Sequence, residues 1–203
     1  MRVIAGTARG RALRAPTSPG IRPTSDLIKG VIFSLLEAEA YKRGFEPDEE
    51  GALAAALAWP RVLDLYAGSG ALAIEALSRG AVHADLIETD PGAARAIQAN
   101  LVATELAERG TLHRQSVESA LRRLVGPYDL VFADPPYAAD QDVAALVESL
   151  ERPALVPSTG VVVLEQPGQA EPPPALAGLP LANSRRHGKT RVTAYWRRPD
   201  ATM

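Results

Sequence analysis

Cysteine is absent from the 203 residues, which excludes disulfides, thiolate nucleophiles and thiolate metal ligands. The three histidines, His83, His113 and His187, lie far apart without ligand spacing, so no metal site is expected. No apolar run approaches the roughly 20 residues of a membrane-spanning helix. Met1 is followed by a basic, strand-like segment and not by the apolar core of a secretory signal. No membrane partner is expected, and the cytosol is the expected compartment. No internal repeat is visible. The length suits one α/β domain that folds without staples.

The net charge of −2 alone argues against a polyanionic partner, but its distribution does not. Arg2, Arg9, Arg11, Arg14, Arg22 and Lys29 stand against only Asp26. Near the other end, Arg185, Arg186, Lys189, Arg191, Arg197 and Arg198 occur with no acid between Asn183 and Pro199. Acids gather in Glu46-Pro-Asp-Glu-Glu50 and in the intervening helices. Such polarity suits a protein that meets a polyanion on one face. Solvated arginines on two small hairpins are the plainer alternative.

Periodicity predicts an N-terminal hairpin, Arg2–Ala5 and Arg11–Arg14, turning through Gly6 to Gly10. Thr24 or Ser25 can cap a helix over Asp26–Ala40, with Leu27, Val31, Leu35 and Ala38 near one face. A second helix is expected over Gly51–Ala58. Strands and helices then alternate: Val62–Tyr66, Gly70–Arg79, His83–Glu88, Pro91–Leu106, Thr111–Arg114, Val117–Leu124, Asp129–Ala133, Asp140–Leu150 and Val161–Glu165. Alternation of this kind implies a mostly parallel, doubly wound sheet with helices on both faces. Leu179–Arg186 and Arg191–Arg197 read as a closing antiparallel hairpin through Gly188. The expected division is 1–40, a basic extension; 41–60, an insertion; and 61–203, the α/β domain.

Three motifs fall at the carboxyl ends of predicted strands, where such sheets bind ligands. The first is Asp134-Pro135-Pro136-Tyr137. Its prolines fix φ and remove two N–H donors, leaving a stiff loop of carbonyl acceptors, a carboxylate and a ring. Those groups suit an exocyclic amine on a planar base. A merely proline-rigid turn is the alternative. The second motif is Asp64-Leu-Tyr66-Ala-Gly68-Ser69-Gly70, a strand, Gly-rich turn and helix start. No Lys-Ser/Thr follows the glycines, so a phosphate loop is excluded. Asp64 would repel a pyrophosphate but could hold an ammonium group, so cationic S-adenosylmethionine fits better than NAD. The third is Glu88-Thr89-Asp90, about twenty residues on, at the spacing of a carboxylate that grips ribose hydroxyls. Asp90 and Pro91 can begin the next helix. Ser116 and Val117, after the third strand, either touch the cofactor or only cap a helix.

On these residues the chain resembles the bacterial small-subunit ribosomal RNA (guanine-N2)-methyltransferases, the RsmD family. The resemblance runs over nearly the whole chain. It includes Arg2-Val-Ile-Ala-Gly-Thr-Ala-Arg-Gly-Arg11, Arg22-Pro-Thr-Ser-Asp26, Asp64–Ala71 with Glu75-Ala-Leu-Ser-Arg-Gly80, and Asp134–Tyr137. The chain differs from the family's usual pattern at Leu27, Gly30, Ser34 and Lys189, and in the stretch Tyr41–Pro60.

The resemblance implies a class I methyltransferase fold that is Rossmann-like, with an antiparallel strand at the C-terminal edge. It also implies S-adenosylmethionine as cofactor and ribosomal RNA, within the small subunit, as partner. Asp134, Pro135, Pro136 and Tyr137 are then the expected catalytic residues. Asp64, Tyr66, Gly68, Ser69, Gly70, Glu88, Thr89, Ser116, Val117 and Asp134 are expected at the cofactor. Arg9, Arg11, Arg14, Arg22, Thr24 and Lys29 are expected at the RNA, and a monomer is expected. The alternatives are an adenine-N6 methyltransferase on DNA or RNA, and a non-catalytic cofactor-binding module that accompanies ribosomal RNA.

Overall fold

A computed structural model describes residues 1–18, 24–46, 58–136, 140–151 and 155–197. Arg22, Tyr137, Arg198 and residues 51–57 of the expected Gly51–Ala58 helix lie outside the described residues.

The central strands are β1 (Arg61–Leu65), β2 (His83–Ile87), β3 (Gly110–His113), β4 (Leu130–Ala133) and β5 (Val161–Pro167). They are followed by β6 (Ala175–Leu176), β7 (Leu179–His187) and β8 (Thr190–Tyr195). The sheet order is β3-β2-β1-β4-β5-β8-β7-β6. The first five strands pair in parallel, and β8 joins β5 antiparallel. This is the expected doubly wound sheet with its antiparallel hairpin; the short β6 is additional. The central strands read as nearly continuous apolar runs because both faces are covered. Val62, Leu130, Phe132, Val161 and Val163 point to one core. Leu63, Leu65, Val131, Val162 and Leu164 point to the other.

The helices are α1 (Asp26–Lys42), α2 (Ala71–Ser78), α3 (Pro91–Ala103), α4 (Val117–Leu121) and α5 (Asp140–Leu150). Ser25 starts α1 by accepting the Ile28 N–H at 3.2 Å. Asp90 starts α3 by accepting the Ala93 N–H at 2.7 Å, with Pro91 in the first turn. α3 stops at Ala103, short of the expected Leu106, because Glu105 adopts φ +62° and a 3-10 turn follows.

The buried face of α1 differs from expectation. Ile28, Ile32, Phe33, Leu36 and Ala40 enter the core, while Leu27 is 68% exposed. Two apolar rows run along this helix, and a 3.6-residue period admits either. The bulkier row wins because Phe33 meets the Phe132 ring at 5.8 Å and lies beneath the Arg79 guanidinium.

The N-terminal segment makes a single bridge, Arg2 to Ala12, in place of two full strands. Its backbone turns to α2 instead. Ile4 and Ala5 donate N–H bonds to the Glu75 carboxylate at 2.8 and 3.0 Å. Thr7 N–H reaches the Ser78 carbonyl at 2.8 Å. Gly6 has φ +79°, and a Cβ there would lie 1.9 Å from that carbonyl, so only glycine allows this approach. Glu75 is fully buried and also binds Arg79 at 2.8 Å.

Candidate active site

A cavity of about 970 Å³ opens outside the carboxyl ends of β1, β2 and β4. It gathers Asp64, Tyr66, Gly68, Ser69, Glu88, Thr89, Ser116, Val117 and Asp134–Pro136 from four separate loops. Thr24 and Leu27, on the α1 side, also line it. The three motifs are thus brought to one crevice, as strand order dictates.

Asp64 sits near the end of β1, 3% exposed, and accepts the Ala73 N–H at 3.1 Å. Burial pushes its carboxyl up to about 7, against the opposing pull of that N–H; the charges of Asp134 and Glu88 add to the rise. Just beyond, Tyr66 holds φ +60°, a conformation rare for a side chain of that size and common where backbone serves a ligand. Gly68 follows at φ +56°.

Glu88 fixes this loop. One carboxylate oxygen accepts the Gly68 N–H at 2.8 Å and the other the Asp90 N–H at 2.8 Å. Each oxygen keeps a further lone pair for a ligand hydroxyl. The Ser116 hydroxyl caps α4 through the Ser119 N–H at 3.2 Å, and the residue also lines the cavity.

Gly70 and Lys29, expected at the cofactor and the RNA, are both buried and do not line the cavity. Gly70 is absent from the cavity wall: it precedes α2 at φ +75°, and a Cβ there would press on Leu86 at 3.1 Å. Ile74 and Ile97 also crowd that position. Lys29 is fully buried, with its ammonium donating to the Arg2 carbonyl and lying 3.4 Å from Asp26 and 3.9 Å from Glu75. A charge buried this way must be paired, and its pairing carboxylates keep it from a phosphate. Of the other expected RNA contacts, Arg9 and Arg14 are exposed, whereas Arg11 is tied to the Ala103 carbonyl at 2.8 Å and to Glu105 at 2.9 Å.

Sequence reasoning missed Glu165, His187, Lys189 and Thr190, which close the cavity from β5 and the β7–β8 turn. Glu165 was legible in principle, as an acid at the carboxyl end of a parallel strand. The other three depend on β8 lying next to β5. A second cavity, about 830 Å³, lies between α1, the N-terminal segment and β7. Leu27 and His187 border both cavities.

Five parallel strands, an antiparallel hairpin at one edge and a crevice at the strand ends define a class I methyltransferase. The chain belongs to the RsmD family: the family model described as "Conserved hypothetical protein 95" matches residues 1–196. YlbH of Bacillus subtilis is 33% identical over 202 residues, covering 98% of this chain and all of that one. "Ribosomal RNA small subunit methyltransferase D" of Escherichia coli is 36% identical over 137 residues, 68% of this chain and 60% of its own length. The solved structure of yhhF from Escherichia coli aligns with a TM-score of 0.75 at 27% identity, covering 98% of this chain and 99% of that one.

The methyl donor of this class is S-adenosylmethionine, and the residues fit it. The cavity is of small-ligand size. Acidic side chains line it, among them Asp64 and Glu88, and suit a cationic ligand with ribose hydroxyls. No helix among the described residues is long and apolar enough to cross a membrane.

Proposed function

We propose that this protein methylates the exocyclic N2 amine of a guanine in small-subunit ribosomal RNA. One observation carries the reading: Asp134, Pro135 and Pro136 line the same cavity as Asp64 and Glu88. Amine acceptors and cofactor residues therefore share one space. The name of the Escherichia coli relative supports the substrate class. The exposed Arg9 and Arg14 support a polyanionic partner.

Bound S-adenosylmethionine supplies an electrophilic methyl on its sulfonium and leaves as the neutral thioether. Asp64 and Glu88 are assigned to hold it, at its ammonium group and ribose respectively. Guanine N2 is a poor nucleophile because its lone pair is delocalised into the ring. The Asp134 carboxylate and Pro135 carbonyl accept its N–H bonds, which favours a pyramidal nitrogen with an available lone pair. On gaining a methyl the nitrogen must shed a proton, and Asp134 is its first acceptor. The diproline holds these acceptors still, and such positioning accounts for ~7–11 kcal/mol in well-aligned reactions. Tyr137, outside the described residues, is assigned to stack on the base. Arg9, Arg14 and Arg22 are assigned to phosphates. The enzyme acts as a cytosolic monomer.

The test is transfer of labelled methyl groups to small subunits from a strain lacking this gene, with naked ribosomal RNA and DNA in parallel. N2-methylguanosine in the digested subunits is the expected product. Label on adenine, or none on any substrate while cofactor binds, would overturn the reading.

A further inference from the structure

We infer that Glu165 reads the Watson–Crick edge of the target base and makes the site selective for guanine. The inference rests on the reading of guanine N2 as the methyl acceptor.

The backbone register places Glu165 beside the amine acceptor. β4 and β5 run in parallel with Phe132 opposite Val163 and Ala133 opposite Leu164. Asp134 and Glu165 are the next residues along each chain, on neighbours spaced about 4.8 Å apart. Side chains alternate along these strands. Val161 and Val163 enter the core shared with Leu130 and Phe132. Val162 and Leu164 enter the opposite one with Val131 and Ala133. Continuing the alternation puts Asp134 and Glu165 on one face of the sheet, the face that carries Asp64. Both line the cavity, and Glu165 is only 4% exposed.

A carboxylate offers acceptors only. Guanine presents two adjacent donors, N1–H and the N2 amine. Two neighbouring carboxylates match that edge: Asp134 at N2 and Glu165 at N1–H. Adenine presents its N6 amine beside N1, which is an acceptor. Turned into the same site, its N1 lone pair would face the Glu165 carboxylate with no hydrogen between them. Facing lone pairs repel, and sites built to pair a substrate N–H discriminate strongly against analogues that lack it.

The test compares wild-type protein with Glu165→Gln on small subunits reconstituted with guanine or 2-aminopurine at the methylated position. 2-Aminopurine keeps the N2 amine but has an unprotonated N1. Comparing the ratio of kcat/KM values between the two proteins cancels any intrinsic difference in amine reactivity. Glu165→Gln should lower kcat/KM for guanine roughly 10- to 100-fold. It should also shrink the preference over 2-aminopurine at least about tenfold, since the glutamine amide can donate to N1. Affinity for S-adenosylmethionine should stay within about threefold. An unchanged preference, or cofactor affinity that falls in step with activity, would overturn the inference. Failure of the wild type to form N2-methylguanosine at all is a separate result and would remove the reading beneath it.

Discussion

The Gly68 N–H donates to Glu88 at 2.8 Å across 20 residues of sequence, so the glycine loop of one strand is shaped by the carboxylate of the next. Glu88→Ala would therefore remove a ligand contact and leave the Gly68 and Asp90 amides without their acceptor. Hydrogen bonds to a charged group contribute about 1.5–3 kcal/mol each. Calorimetric titration with S-adenosylmethionine should show at least a tenfold weaker Kd.

Asp64 should make cofactor binding depend on pH near neutrality. Its carboxyl retains a proton up to about 7, and a cationic ligand favours the ionised form. Affinity should rise as pH climbs through 6 to 8, with proton release on binding. Asp64→Asn should bind weakly and lose this slope.

The same group should lower the stability of the ligand-free protein as pH rises. An unfolded Asp titrates near 3.8 and the folded one at about 7, so between these values the folded state holds the extra proton. Stability from this group is intact below about pH 4 and lost through pH 7. The loss amounts to about 4 kcal/mol at full ionisation. Denaturant midpoints at pH 8 should be higher for Asp64→Asn than for wild type, and the gap should close at pH 4.

Asp134→Ala should reduce methyl transfer by at least about 100-fold, the scale seen when one preorganised polar group is removed from a reacting centre. Its cofactor Kd should change little. Single-turnover rates with labelled donor separate the two effects, and unchanged turnover would sink the assigned role.

Arg9, Arg14 and Lys29 should diverge under charge removal. Each of Arg9→Gln and Arg14→Gln should weaken RNA binding and lower the salt slope by about one. Lys29→Gln should leave that slope alone and destabilise the fold by about 1–3 kcal/mol, because it removes a buried ammonium that donates to the Arg2 carbonyl and lies beside Glu75, which still keeps Arg79 and two backbone N–H donors. Filter binding across a salt series and urea denaturation together distinguish a contact from a strut.

The sheet was legible because its strands are apolar runs bounded by turns, and the crevice followed from where their ends must lie. Asp64, Glu88 and Asp134 were legible as crevice residues because each sits at the end of an apolar strand run, within a recognisable motif. The sequence could not rank the two apolar rows of α1, since that choice depends on Phe132, about a hundred residues away. Lys29 misled for the same reason: the Arg2 carbonyl and Glu75 that help bury it are distant in sequence, so an arginine-rich neighbourhood looked like its context. Glu165 was passed over because it ends a strand without a motif around it.

The Asn100 side chain accepts the Arg14 N–H at 2.8 Å and donates to the Arg14 and Ser69 carbonyls at 3.0 and 2.9 Å. One amide thus rivets the basic arm to the glycine loop. Substrate-side and donor-side surfaces share a hinge pin, and neither can be retuned by substitution without the other registering the change.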